Sequence, residues 1–128
     1  MFKDSPAFSS YSVDDVVAAR QFYSEVLGCS LDEDAMGLKL AFPNGHSVYL
    51  YQKDDHVPAT FTVLNLPVKS IDAAVDDLVG KGLVMERYDT LPASQDERGV
   101  LRGKDAGMGP DIAWFRDPSG NILAVLEN

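Results

Sequence analysis

The chain has 128 residues, 45% of them hydrophobic and 24% charged, which is one domain's length with the composition of an ordinary globular protein. Its formal net charge of −9 argues against nucleic acid and anionic membrane surfaces as partners, because both repel an acidic protein. No apolar run approaches the roughly 20 residues that span a bilayer, and the opening MFKDSPAFSS lacks an apolar signal-peptide core, so a cytoplasmic location is expected.

Taken in order, Ala7 to Val13 alternates weakly, with Phe8, Ser10 and Ser12 on one face and Tyr11 and Val13 on the other. Asp14 and Asp15 place a cap and negative charge at a helix start. Val16, Ala19, Phe22, Tyr23, Val26 and Leu27 follow helical spacing, and Gly28 suits the left-handed stop. The lone Cys29 permits no internal disulfide and reads as a small apolar packing residue. Leu31 to Asp34 is a short strand candidate, and Leu38 to Phe42 with Ser47 to Gln52 form the arms of a hairpin around Pro43-Asn44-Gly45.

Asp54 to Pro58 reads as a linker, being polar and ending in a proline that resists helix. Thr60 to Leu66 is a strand candidate. Ser70 then caps a helix whose Ile71, Ala74, Val75, Leu78 and Val79 make a clean apolar stripe. Leu83 to Arg87 is expected to be a strand. Tyr88 to Pro110 has no sustained period, ends in structure breakers, and reads either as a functional loop or as a surface excursion with one strand near Gly99 to Arg102. A second hairpin closes the chain, Ala113-Trp114-Phe115 and Ile122 to Leu126 around Asp117-Pro118-Ser119-Gly120.

The two hairpins are copies. Pro43 and Gly45 recur as Pro118 and Gly120, 75 positions on, which aligns Tyr49 with Ala124 and Leu50 with Val125. The two helix starts, Val13 to Ala19 and Val68 to Ala74, lie 55 positions apart. The order strand, helix, strands, Pro-x-Gly hairpin therefore occurs twice. The second copy carries about twenty extra residues, a difference of the two registers. Unit one runs about 6–53, the linker 54–58 and unit two about 59–128, with the insert at about 86–109.

The doubled unit carries two motifs, Asp15 with Phe22-Tyr23-x-x-Val26-Leu27-Gly28, and Phe115-x-Asp117-Pro118-x-Gly120-Asn121-x-Leu123. With these motifs it resembles the vicinal oxygen chelate superfamily, which includes glyoxalases, extradiol dioxygenases and bleomycin-resistance-type antibiotic-binding proteins. The resemblance implies an α+β fold of two tandem βαβββ units whose mixed sheets curl into a ligand-binding cup. Metal-using members place four ligands there, one on the first and one on the last strand of each unit. Carried over, those positions fall on Phe8, Tyr49, Ala124 and either Phe61 or Val63, where a divalent ion needs imidazole or carboxylate donors. Three of the four offer no donor and the fourth is a phenol. His46 falls in a hairpin turn and His56 in the linker, where both read as surface polarity. No metal and no cofactor is therefore expected.

What remains is an apolar and aromatic lining. The candidate ligand-binding residues are Phe8, Ser10, Tyr49, Tyr51, Phe61, Val63, Trp114, Ile122 and Ala124. They suit a small, mostly apolar or aromatic molecule oriented by a few hydroxyls. Parity leaves Trp114 lining the cup or packing under a helix. Arg98, Arg102 and Lys104 either close over an anionic or polar ligand or balance Asp96, Glu97 and Asp105. The first functional expectation is a metal-free binding protein that sequesters a drug or metabolite. The second is a glyoxalase-like lyase or isomerase, or a dioxygenase-type enzyme, with a non-standard site: a displaced metal site, or acid–base groups such as Tyr49, Tyr51 or an acidic residue of the insert. The third is a structural or regulatory module with the cup packed shut. The resemblance also implies a homodimer as one way to complete a cup, although no distinct interface is visible in the sequence.

Overall fold

The computed structural model describes all of residues 1–128. The chain divides into two compact units, Met1–Pro58 and Ala59–Asn128. Each is a βαβββ unit with one four-stranded mixed sheet, so the fold is α+β with the unit repeated in tandem. No helix is long and apolar enough to cross a membrane.

In the first unit the elements are β1 (Ser9–Val13), α1 (Val16–Gln21), β2 (Ser30–Asp34), β3 (Gly37–Ala41) and β4 (Ser47–Gln52), in sheet order β1-β4-β3-β2. The Asp15 carboxylate caps α1 by accepting from the Val17 and Ala18 amides. The helix then widens into a π turn over Phe22–Val26, closed by the Leu27 amide donating to the Phe22 carbonyl. The helical spacing of Phe22 to Leu27 is thus kept, but in a wider turn that buries Phe22 and Tyr23 together, their rings edge to face at 5.2 Å. α1 packs on β3 and β4, and the core lies between them: Val13, Ala19, Leu38, Leu40, Val48 and Leu50. The Gly45 turn has φ +82, a conformation that glycine adopts without Cβ strain.

In the second unit β5 (Thr62–Pro67), α2 (Ile71–Gly80), β6 (Leu101–Arg102), β7 (Asp111–Arg116) and β8 (Ile122–Glu127) give the sheet order β5-β8-β7-β6. Ser70 caps α2 through the Ala73 amide. The α2 stripe of Ile71, Val75 and Leu78 is buried, as are Ala113, Phe115, Leu123 and Val125 on the strands that α2 contacts. The Asp117 carboxylate is buried and organises the closing turn, accepting from the amides of Ser119 and Asn121 (2.9 Å each) and from the Asn121 side chain (3.0 Å).

Two sequence expectations change. Leu83 to Arg87 forms no strand; there the Glu86 amide donates to the Trp114 carbonyl. The strand expected over Gly99 to Arg102 is only the two-residue β6.

A second difference separates the units. β4 alternates, with Val48 and Leu50 buried and Tyr49 and Tyr51 not, so the first sheet is covered on one face. In β8 Ile122, Leu123, Ala124 and Val125 are all buried. Leu101, Trp114, Ile122 and Ala124 form a second apolar layer on the face away from α2, with Tyr88, Leu91, Ala93 and Ile112 packed against it.

Candidate functional site

The open face of the first sheet gathers four of the residues singled out above. The parallel pairing of β1 with β4 sets Ser10 level with Tyr49 and Ser12 level with Tyr51. Phe8, just before β1, is 62% exposed, and its ring lies 6.4 Å from that of Tyr49 at a tilt of 54°. β3 adds Lys39 beside Tyr49, and β2 adds Asp32 beside Lys39. The face is therefore a strip of aromatic rings and small hydroxyls with one lysine on it.

The Tyr49 hydroxyl donates to Asp34 at the end of β2. That bond stabilises the protonated phenol and pushes its pKa up to about 12. The same bond, with the Met36 amide, holds the Asp34 carboxyl below the usual carboxylate range. His56 is not simply linker polarity: its Nδ1 lies 2.6 Å from the Ser12 hydroxyl, which ties the linker to the open face.

In the second unit the candidate residues are arranged differently. Phe61 lies just before β5 and is 68% exposed. Val63 sits at a register shift between Thr62 and Leu64, and the residue level with Ala124 is Asn65. Trp114 pairs across the sheet with Ala124, and its indole N–H donates to the Thr62 hydroxyl at 3.2 Å. Trp114, Ile122 and Ala124 do share one face, but the insert lies over them. Tyr88 meets Trp114 edge to face at 5.5 Å. Gln95 holds this strap, accepting from the Tyr88 amide (2.7 Å) and donating to the carbonyls of Glu86 (2.9 Å) and Gly99 (2.6 Å). The basic residues of the insert pair with nearby acids. Arg98 bonds Asp72 and Asp76 of α2, Arg102 bonds Asp72 (2.7 Å) and Asp96 (3.2 Å), and Lys104 bonds Glu127. Burial raises the pKa of the Cys29 thiol, which suits packing better than nucleophilic chemistry.

No protein-family model and no curated protein matches the chain. Solved structures do. The antibiotic binding protein TnmS3 from Streptomyces sp. CB03234 aligns over 94% of this chain and 94% of its own, at 22% identity and TM-score 0.64. A glyoxalase/dioxygenase from Nostoc punctiforme aligns over 99% of this chain and 93% of its own, at 17% identity and TM-score 0.67. The fosfomycin resistance protein FosX from Listeria monocytogenes aligns over 94% and 87%, at 12% identity and TM-score 0.66. The chain has the vicinal oxygen chelate fold. At these identities the likeness is one of fold, and the fold hosts both binders and enzymes.

Within the vicinal oxygen chelate fold, a metal calls for donors on the first and last strands of each unit. Tyr49 and Ala124 are the expected last-strand positions, but the residues that the pairing sets level with them are Ser10 and Asn65, not Phe8 and Phe61 or Val63. A serine hydroxyl, a phenol protonated up to about pH 12, an amide and a methyl do not fit a divalent ion. No group of three or more His, Cys, Asp or Glu side chains converges in a metal-holding arrangement.

Sequence reasoning missed Asn65, Asp34, Lys39 and Tyr88. Asn65 was findable: it lies 55 positions after Ser10, the offset that also separates the two helix caps, Asp15 and Ser70. Asp34 and Lys39 needed the antiparallel register of β2, β3 and β4. Tyr88 sits in the aperiodic insert and carries no local signal.

Proposed function

We propose that this protein is a metal-free binding protein of the vicinal oxygen chelate type. It holds a small, largely apolar or aromatic molecule against the Phe8, Ser10, Tyr49 and Tyr51 face of its first sheet and so sequesters a drug or metabolite. The observation that carries this reading is the open strip of Phe8, Ser10, Tyr49 and Tyr51 on the first sheet, with a hydroxyl and a phenol at the level where the resemblance puts metal donors. Rings at this spacing offer stacking and edge contacts to a planar ligand, and Ser10 and Lys39 offer polar contacts at its rim. Antibiotic-binding and resistance proteins among the structural neighbours support the same direction.

An enzymatic reading that uses Tyr49 as a base is less well supported. With its proton held by Asp34 up to about pH 12, Tyr49 is a poor base at neutral pH. Native mass spectrometry of freshly purified protein tests the proposal. A bare mass, or one increased by an organic ligand, is expected, with no stoichiometric zinc, nickel or manganese adduct after incubation with each metal and desalting. A retained stoichiometric metal would overturn it.

A further inference from the structure

The second sheet carries a feature that an ordinary core does not need. Its face away from α2 is covered by a strap, Tyr88 to Ala93, with no regular secondary structure. The strap belongs to the insert that the first unit lacks. Its keystone is Tyr88, whose ring sits on Trp114 while its hydroxyl is buried with no hydrogen-bond partner. A buried, unpartnered hydroxyl penalises the closed arrangement, because opening returns it to water. An open depression of about 710 Å³ is lined by strap residues and their neighbours between Arg87 and Gln95, with no residue of the sheet among them. Beneath the strap the floor is the Trp114 indole, the Ile122 side chain and the Ala124 methyl, with Asn65 exposed at the level of Ala124.

We propose that this floor is a second, cryptic binding face for a small monocyclic aromatic molecule with one polar substituent, such as a phenol. In this structure the phenol is supplied by the chain's own Tyr88. A ligand ring replaces the Tyr88 ring on Trp114, the Asn65 amide meets its polar substituent, and the displaced Tyr88 hydroxyl gains water. Gln95, which pins Tyr88 by its backbone amide, sets how readily the strap releases. The proposal rests on the aromatic-ligand reading above but places its site on a different sheet.

The test is titration of the full chain with 4-methylphenol, followed by the emission of Trp114, the only tryptophan. A saturable change is expected in the wild type. Tyr88→Phe keeps the ring and removes the penalty on the closed strap, so the apparent affinity should fall by about tenfold. Gln95→Ala loosens the strap and should raise the affinity. Hydrogen exchange should show residues 88–93 losing protection as the ligand saturates. No saturable response in either the wild type or Gln95→Ala would overturn the proposal, and so would an affinity in Tyr88→Phe equal to or tighter than that of the wild type. Because Trp114 reports the second sheet and the proposed function is read through Tyr49, failure of one is distinguishable from failure of the other.

Discussion

Replacing Tyr49 with alanine removes the ring at the centre of the open face while leaving its neighbours Ser10 and Lys39 in register. In the wild type that ring already meets Phe8 at 6.4 Å with a 54° tilt, a geometry in which aromatic pairs gain about 0.5–1.5 kcal/mol beyond area burial. A planar ligand on this face loses a contact of the same kind, so its Kd should rise by about three- to tenfold, since about 1.4 kcal/mol corresponds to tenfold. Tyr49→Phe separates ring from hydroxyl. The hydroxyl is committed to Asp34, so its removal should change binding by less than about threefold, at the scale of one neutral contact. Isothermal titration calorimetry of the three proteins against bicyclic aromatics (naphthol, quinoline, naphthoate) reads both effects. Unchanged affinity in Tyr49→Ala for every compound the wild type binds would refute the placement of the ligand. Loss of binding in Tyr49→Phe as complete as in Tyr49→Ala would refute the view that Asp34 holds the hydroxyl out of play.

Asp34→Asn should let Tyr49 ionise nearer the ordinary tyrosine value. Ultraviolet alkaline titration of matched proteins, with and without the Tyr49→Phe change, isolates that one phenol by difference; an unshifted titration in Asp34→Asn would contradict the assigned cause. The sign follows from a raised folded pKa: the bond's contribution to stability is present below about pH 10 and is lost as pH climbs towards about 12. Asp117→Ala strands two backbone amides and the Asn121 side chain, and should cost about 2–4 kcal/mol in urea unfolding; a loss below about 1 kcal/mol would contradict the account of the turn. Ala124→Glu places a carboxylate at one of the metal-ligand positions that the resemblance implies, but at a position with 0% exposure against Trp114, Leu101 and Ile122. It should destabilise the fold by about 3 kcal/mol or more in thermal unfolding; wild-type stability would mean that the strap does not pack there.

Much of the architecture is written locally. Asp15 and Ser70 cap helices because a side-chain oxygen after an extended run meets the free amides of the first turn. The two hairpins are marked by Pro-x-Gly, and their 75-residue offset returns in the structure as Ser47 and Ile122 opening β4 and β8. The contrast between the two last strands lies in the sequence as well, although Ile122 and Ala124 were expected to line a ligand site: Ser47 to Gln52 alternates, whereas Ile122 to Leu126 is apolar throughout, as in a strand covered on both faces. The alignment of β5 was not legible. The register shift at Val63 flips the face of every residue before it, and no residue type there announces the shift.

By itself, then, the sequence determined the repeated unit and its caps and turns, because these depend on residue identity and short-range spacing. Tertiary structure alone decided which open face stays open. Tyr88 reaches Trp114 from 26 positions away, and Tyr49 finds Asp34 only through the pairing of three strands. Such contacts arise when a chain without its own period is laid on an apolar surface, and its destination is set by that surface rather than by its local sequence.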